Sequence, residues 1–321
     1  MNNRFLTFAV IPLCILVIAG CSQKKSRQSS QSRRFPEVSV PQMGSDKDKM
    51  DYSAIHFWDA FLDSSKTFRC DSSLVNGVKK QEIETAFGQY ATLLGIVDPF
   101  TSAASSGRLF DMASGFERRD TATNVFETIT DLADKYFYDP NSPVRNEEAY
   151  LPFALKLSKC PYLTEAMRQA YGYSARMCAL NRIGAPAADF SFTELSGRMK
   201  TLYGIKADLT LLFFSNPGCP ACKEIAEALK RDARINDLIG KRRLAIVNVY
   251  IDLEIAKWKA FAAGYPKSWH SGYDQKYVIR TDVLYNVRAI PSLYLLDKDK
   301  KVIMKDATQE NVLAYLDNLP D

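Results

Sequence analysis

Hydrophobic positions recur at helical spacing through the first half of this chain and gather into short continuous runs in the second. After Asp51, Phe57, Trp58, Phe61 and Leu62 fall at i, i+1, i+4 and i+5, and Ile83, Phe87, Tyr90, Leu94 and Val97 stand three or four apart. Val125, Ile129, Leu132 and Tyr136 repeat the pattern, and Leu163, Met167, Tyr171 and Met177 follow it in the last segment. Such spacing stacks apolar side chains along one face of a helix. Asp120-Thr121 supplies a helix start, and Asp139-Pro140-Asn141 a stop. No alternating β-branched run interrupts this stretch, so residues 51–183 predict a separate all-α N-terminal domain.

Gly184-Ala185-Pro186 ends the helical pattern, and Asp189-Phe190-Ser191-Phe192 reads as a short strand. Leu209 to Phe214 (LTLLFF) and Leu244 to Ile251 (LAIVNVYI) are apolar runs of strand length, as in strands buried on both faces. Between them, Asn216-Pro217-Gly218 turns into a helix with Cys222, Ile225, Ala226 and Leu229 on one stripe. Leu293–Leu296 and Val302–Met304 flank a polar turn as a hairpin, and Thr308–Leu319 is an amphipathic helix. Strand, helix, strand, hairpin and helix is the order of a thioredoxin fold, so residues 184–321 predict an α/β domain of that class.

The segment ahead of both domains has a different character. Arg4 is followed by an apolar run from Phe5 to Ala19, too short for a comfortable membrane span but fitting a signal-peptide core. It ends in Ile18-Ala19-Gly20-Cys21, which resembles the lipobox of bacterial lipoproteins. That resemblance implies cleavage after residue 20, a lipid on Cys21 and attachment to a bacterial membrane. Ser22, and the absence of acids just after the cysteine, point to the outer membrane on its periplasmic face. Residues 21–50 are rich in Ser, Gln, Lys and Arg and predict a disordered tether.

Charge follows the same division. Six cations and no acid lie within residues 1–34, so the rest of the chain carries −1 of the net +5. A near-neutral body offers no basic footprint for nucleic acid. Of the seven cysteines, Cys14 leaves with the leader and Cys21 takes lipid, so five remain in the body. An odd number in an oxidising compartment leaves at least one thiol unpaired. Cys219 and Cys222 form one pair. Among Cys70, Cys160 and Cys178, a Cys160–Cys178 disulfide and small buried thiols are both open.

Cys219-Pro220-Ala221-Cys222 opens a helix directly after a strand. At a helix N-terminus, unpaired N–H groups and the macrodipole favour a thiolate and lower its pKa from about 8.5 into a range of about 3.5–7.5. Cys219 is thus placed to attack a disulfide, and Cys222, one turn inward, to resolve the mixed disulfide. Pro220 suits the first helical position. A zinc reading finds no second Cys-X-X-Cys and two histidines only, His56 and His270. The chemistry calls for no metal and no organic cofactor.

With these residues in place, the C-terminal part resembles the TlpA/ResA branch of thioredoxin-like thiol–disulfide oxidoreductases. The resemblance rests on Gly184-Ala185-Pro186-Ala187-Ala188-Asp189-Phe190, on the Cys-Pro-Ala-Cys motif, and on Tyr285-Asn286-Val287-Arg288-Ala289-Ile290-Pro291 before Leu293–Asp297. It implies that Pro291 is a cis-proline beside the dithiol and that Ile290 pairs with substrate backbone. It also implies action on cysteines of exported proteins, with an upstream thiol–disulfide donor or acceptor. Residues 139–148 resemble a domain of unknown function that precedes thioredoxin folds in exported lipoproteins.

The chain departs from the pattern at Gly218, where typical members carry Trp, and in Leu209–Phe214, which lacks the buried carboxylate of thioredoxin. Glu224 is close in sequence but is expected to face solvent. Trp269 and His270 are candidates for the rim of the site. Two other readings are a thiol peroxidase, disfavoured by Asn216 where peroxiredoxins place Thr, and a non-catalytic assembly protein on a thioredoxin-like scaffold.

Overall fold

The computed structural model describes residues 32–42 and 44–320, in a helical part followed by a mixed α/β part. The helical part contains α1 (Asp46–His56), α2 (Lys80–Leu94), α3 (Pro99–Arg119), α4 (Val125–Ala133), α5 (Glu147–Leu157) and α6 (Glu165–Cys178). A π-helical turn, Asp134–Tyr138, extends α4. Local chemistry sets the starts. Asp98 accepts from the backbone N–H groups of Phe100 and Thr101, with Pro99 in the first turn of α3, and Asn146 and Thr164 cap α5 and α6 in the same way. The core is aromatic: the Trp58 and Phe87 ring centroids lie 5.6 Å apart, and those of Phe87 and Phe137 lie 5.2 Å apart.

Two features differ from the sequence expectation. A short hairpin, β1 (Leu74–Val75) and β2 (Val78–Lys79), sits inside the helical part. Its turn residues Asn76 and Gly77 both take positive φ, at 47° and 79°, as a tight two-residue hairpin requires. The tether expected over residues 21–50 is also shorter. Arg33 donates to the carbonyl oxygens of Asn76 and Phe61, both at 2.9 Å, and its guanidinium lies 3.7 Å from the Phe68 ring centroid. The Phe35 ring packs against Trp58 and Phe61 with centroids 5.3 Å away, and α1 begins at Asp46. A single aromatic and a single arginine with buried partners hold a stretch whose composition alone would leave it unfolded.

The α/β part runs β3 (Ser191–Glu194), β4 (Met199–Thr201), β5 (Leu209–Phe214), α7 (Pro220–Arg231), α8 (Ala233–Gly240), β6 (Leu244–Tyr250), α9 (Ile255–Ala262), β7 (His270–Tyr273), α10 (Val278–Thr281), β8 (Ser292–Leu296), β9 (Val302–Ala307) and α11 (Gln309–Asp317). The sheet order is β4-β3-β7-β6-β5-β8-β9. β5, β6 and β7 are parallel neighbours, and β8 and β9 add antiparallel strands on one side. Every residue of β5 and β6 is buried, which is why both read as unbroken apolar runs. Leu211 and Phe213 point to the side covered by α7, α8 and α11. Leu212 and Phe214 point to the side holding Tyr285 and Tyr294. This is the thioredoxin arrangement.

The two parts meet across buried charges. Glu147, at the start of α5, lies 2.7 Å from Lys305 Nζ on β9 and 3.2 Å from Arg288 Nε, and accepts from Asn286 Nδ2 at 2.6 Å. Arg145 Nε donates to Asp306 Oδ2 at 2.9 Å. The disulfide considered between Cys160 and Cys178 is not formed; these two and Cys70 are free thiols. Cys160 and Cys178 are packed as small apolar side chains in the helical core, and burial pushes both thiols above their ordinary pKa.

Candidate functional site

β5 delivers the chain to the sheet's end, and the turn after it aims Cys219 at the start of α7. Gly218 makes that turn with φ +79°, a left-handed conformation that a side chain adopts only with strain. A Trp at this position would meet that strain, which gives the departure at Gly218 a backbone cause. The Lys257 side chain lies alongside, its Cε 4.0 Å from the place a Cβ on Gly218 would take.

Cys219 occupies the N-cap of α7, and its Sγ accepts from the Cys222 backbone N–H at 3.1 Å. Pro220 takes the first helical position, where its missing N–H leaves nothing unpaired. Cys219 and Cys222 are joined as a disulfide with Cα atoms 5.3 Å apart. Cys219 is half-buried, whereas Cys222 is 3% exposed and packs with Phe213, Leu229 and Trp269. One sulfur is therefore open to an incoming partner and the other is not.

The Ile290–Pro291 peptide bond is cis, and the Ile290 carbonyl oxygen lies 3.8 Å from Cys219 Sγ. Dithiol and proline loop, 71 residues apart in sequence, thus share one site. The loop is anchored directly behind the proline: Ser292 Oγ donates to Asp306 Oδ1 at 2.7 Å, and Asp306 pairs with Arg145 of the helical part. Sequence reasoning did not single out Ser292, Asp306 or Arg145. Their separation along the chain leaves no local signal.

No carboxylate lies in β5 beneath Cys222. The same face of the sheet carries a neutral pair, with Ser215 Oγ donating to Asn248 Oδ1 at 2.6 Å, and Asn248 is fully buried in register with Phe213. Glu224 is exposed, as expected. Trp269 and His270 do not form a rim. Trp269 is buried in the core that holds Cys222. His270 Nδ1 sits 2.9 Å from Lys200 Nζ, and burial, with that ammonium, depresses its pKa. Both serve the sheet. Asn216 donates to the Asp252 carboxylate, a structural tie rather than a peroxidase hydroxyl.

Among the described residues, no group of His, Cys, Asp and Glu is arranged to hold a metal, and no helix is long and apolar enough to cross a membrane. Cys21 and the leader lie outside the described residues.

A thioredoxin fold with a disulfide at the start of its first long helix and a cis-proline loop facing it defines a thioredoxin-like protein. A family model described as a domain of unknown function (DUF5106) matches residues 19–179, beginning upstream of the stretch that docks through Arg33 and Phe35. The crystal structure of a thioredoxin-like protein from Bacteroides caccae is 35% identical, covers 88% of this chain and 98% of its own, and superposes with a TM-score of 0.75. The chain belongs to the thioredoxin-like proteins and carries the DUF5106 domain ahead of the thioredoxin fold. The C-terminal domain of an uncharacterized Bacteroides fragilis protein is 45% identical over 43% of this chain and 99% of its own, with a TM-score of 0.42. The thioredoxin domain of a Bacteroides vulgatus thiol–disulfide oxidoreductase is 22% identical over 42% of this chain and 98% of its own, with a TM-score of 0.37. No curated protein matches the chain.

Proposed function

We propose that this protein is a membrane-anchored thiol–disulfide oxidoreductase of the TlpA/ResA type, acting on cysteines of exported proteins. The observation that carries the reading is the pairing of an accessible Cys219 at a helix N-terminus with a shielded Cys222, beside the Ile290 carbonyl at 3.8 Å. In the reductive direction the Cys219 thiolate attacks a substrate disulfide. A Cys219–substrate S–S bond forms, the substrate S–S bond breaks, and one substrate thiolate leaves. The Cys222 thiol gives its proton to the substrate thiolate first released, and its sulfur then attacks Cys219 Sγ and releases the second substrate thiolate. Two electrons pass to the substrate, and the Cys219–Cys222 disulfide remains. An upstream dithiol restores the reduced pair by the same two exchanges, and the reverse sequence introduces a disulfide into a dithiol substrate.

Fixed backbone groups assist the exchange. The Cys222 N–H and the α7 dipole stabilise the Cys219 thiolate. The Ile290 backbone next to the sulfur offers an extended substrate a hydrogen-bonding edge.

Serine in place of Cys222 removes the resolving step. In cells, a Cys222→Ser protein is expected to accumulate mixed disulfides with exported proteins, seen as adducts on non-reducing gels and lost when Cys219 is also Ser. Absence of such adducts would overturn exchange and favour an assembly role.

The anchor rests on the Ile18-Ala19-Gly20-Cys21 motif after the apolar leader. In this reading the dithiol works at a bacterial membrane, and Ser22 with no acid just after Cys21 supports the periplasmic face of the outer membrane. Radiolabelled palmitate is expected to enter the wild type and not Cys21→Ala; equal labelling of the two removes the anchor from the proposal.

A further inference from the structure

Beside the dithiol the two parts of the chain enclose a groove of about 380 Å³. One wall is the first turns of α7, with Glu224, and the floor is the Ile290–Pro291 loop. The opposite wall comes from the helical part, at Pro140 and Asn141, and Glu310 of α11 closes one side. A thioredoxin fold by itself supplies the first wall and the floor; the other wall exists because the helical part is there.

That wall is built in place rather than leaning by chance. The Asn141 backbone N–H donates to Asp139 Oδ1 at 2.8 Å, and Ser142 Oγ donates to the Tyr136 carbonyl at 2.7 Å, which fixes the turn carrying Pro140 and Asn141. Arg145, at the end of the same turn, is tied to Asp306, and Asp306 holds Ser292 directly after Pro291. The wall and the proline loop are therefore bolted to each other through one carboxylate.

The charge in the groove is one-sided. Arg145 is committed to Asp306 and has a side chain only 14% exposed. Glu224 and Glu310 are exposed and have no ion-pair partner among the described residues. The volume lies at the small end of ligand-sized pockets, about 300–1,000 Å³, so it takes side chains of an extended segment rather than a folded partner.

We propose that the helical domain forms the specificity wall of the exchange site, and that the groove selects an extended substrate segment with lysine or arginine next to the reacting cysteine. This rests on the exchange reading of Cys219 and Cys222. Complementary charge of this kind acts on encounter and register, and it is weakened by salt.

The test uses the reduced full-length protein and two peptides, each joined through its cysteine to thionitrobenzoate, with lysines or glutamates flanking that cysteine. Exchange at the dithiol passes two electrons to the mixed disulfide and releases one peptide thiol and one coloured thionitrobenzoate. Each rate is divided by the rate of the same peptide with dithiothreitol, which removes intrinsic differences between the disulfides. The lysine peptide is expected to react about tenfold faster than the glutamate peptide at low salt, the advantage shrinking as salt rises. Glu310→Lys and Asn141→Lys are each expected to cut that ratio about threefold within the same variant. A wild-type ratio near one, with the peptide-free disulfide of two thionitrobenzoates still reduced, overturns the groove while leaving exchange intact. So does a ratio that neither variant changes. Failure of the wild type to reduce even the peptide-free disulfide of two thionitrobenzoates overturns the exchange reading and the groove with it.

Discussion

Glu147→Ala is expected to destabilise the protein by about 3–5 kcal/mol, the cost of leaving buried charge uncompensated. Glu147 is 6% exposed at the interface between the two parts. Its carboxylate faces Lys305, whose side chain is 2% exposed, and Arg288, whose guanidinium also lies 4.2 Å from the Tyr138 ring centroid. Lys305 donates in addition to the carbonyl oxygens of Cys178 and Leu180, so its ammonium is held by protein groups. Burial raises the Glu147 carboxyl above its ordinary pKa even against the pull of Lys305 and Arg288. Desolvation is thus the larger effect, and the assembled cluster is a poor source of net stability. Breaking it is another matter, because Lys305 then stays buried without a carboxylate, while Arg288 keeps only Asp306 at 3.6 Å. The check is a urea unfolding midpoint at neutral pH for the wild type, Glu147→Ala, and Glu147→Ala combined with Lys305→Met. The double variant should recover part of the loss, since it removes the cation left without a carboxylate. A loss below about 1 kcal/mol in Glu147→Ala would mean that the interface is wet and loosely held.

The same cluster marks the limit of what the sequence discloses. Strands β5 and β6 were legible because burial on both faces forces unbroken apolar runs, and α7 because its stripe begins at a Cys-Pro pair. The dithiol and the proline loop could each be seen locally, and the structure brings them within 3.8 Å. α3 was not legible from periodicity. Its buried face includes Ser102, Ser105, Ser106 and Gly107, small residues that let α5 approach closely and register as polar in a hydrophobic pattern. Its start signal, Asp98-Pro99, was present in the chain all the same. The Asn76-Gly77 hairpin was too short to show an alternating pattern. Glu147 stands about 140 residues or more before Arg288 and Lys305, and nothing local distinguishes an interface charge from a solvated one. The expected rim at Trp269 and His270 failed for the converse reason. An aromatic and a histidine in a loop-like sequence are here core and ladder residues. The groove wall at Asn141 belongs with the charges, because it arises only where two distant segments meet.

Cys219→Ser is expected to reduce dithiothreitol-dependent insulin reduction to the rate of dithiothreitol alone, a loss of at least about 100-fold from the wild type. A serine hydroxyl at this N-cap keeps an acceptor for the Cys222 N–H, so α7 retains its start and the fold is preserved. What disappears is the ionised sulfur, since neither the helix dipole nor a single N–H brings a hydroxyl into the range where a thiol ionises. Cys222 cannot substitute, being 3% exposed beneath the first turn of the helix. Side-by-side insulin turbidity traces for the wild type and Cys219→Ser, with far-ultraviolet circular dichroism confirming that both are folded, decide the matter most directly. The expected result is catalysis by the wild type and none by the variant. A folded wild type no faster than dithiothreitol alone, or a variant that keeps the wild-type rate, would contradict the assignment of Cys219 as the attacking thiol.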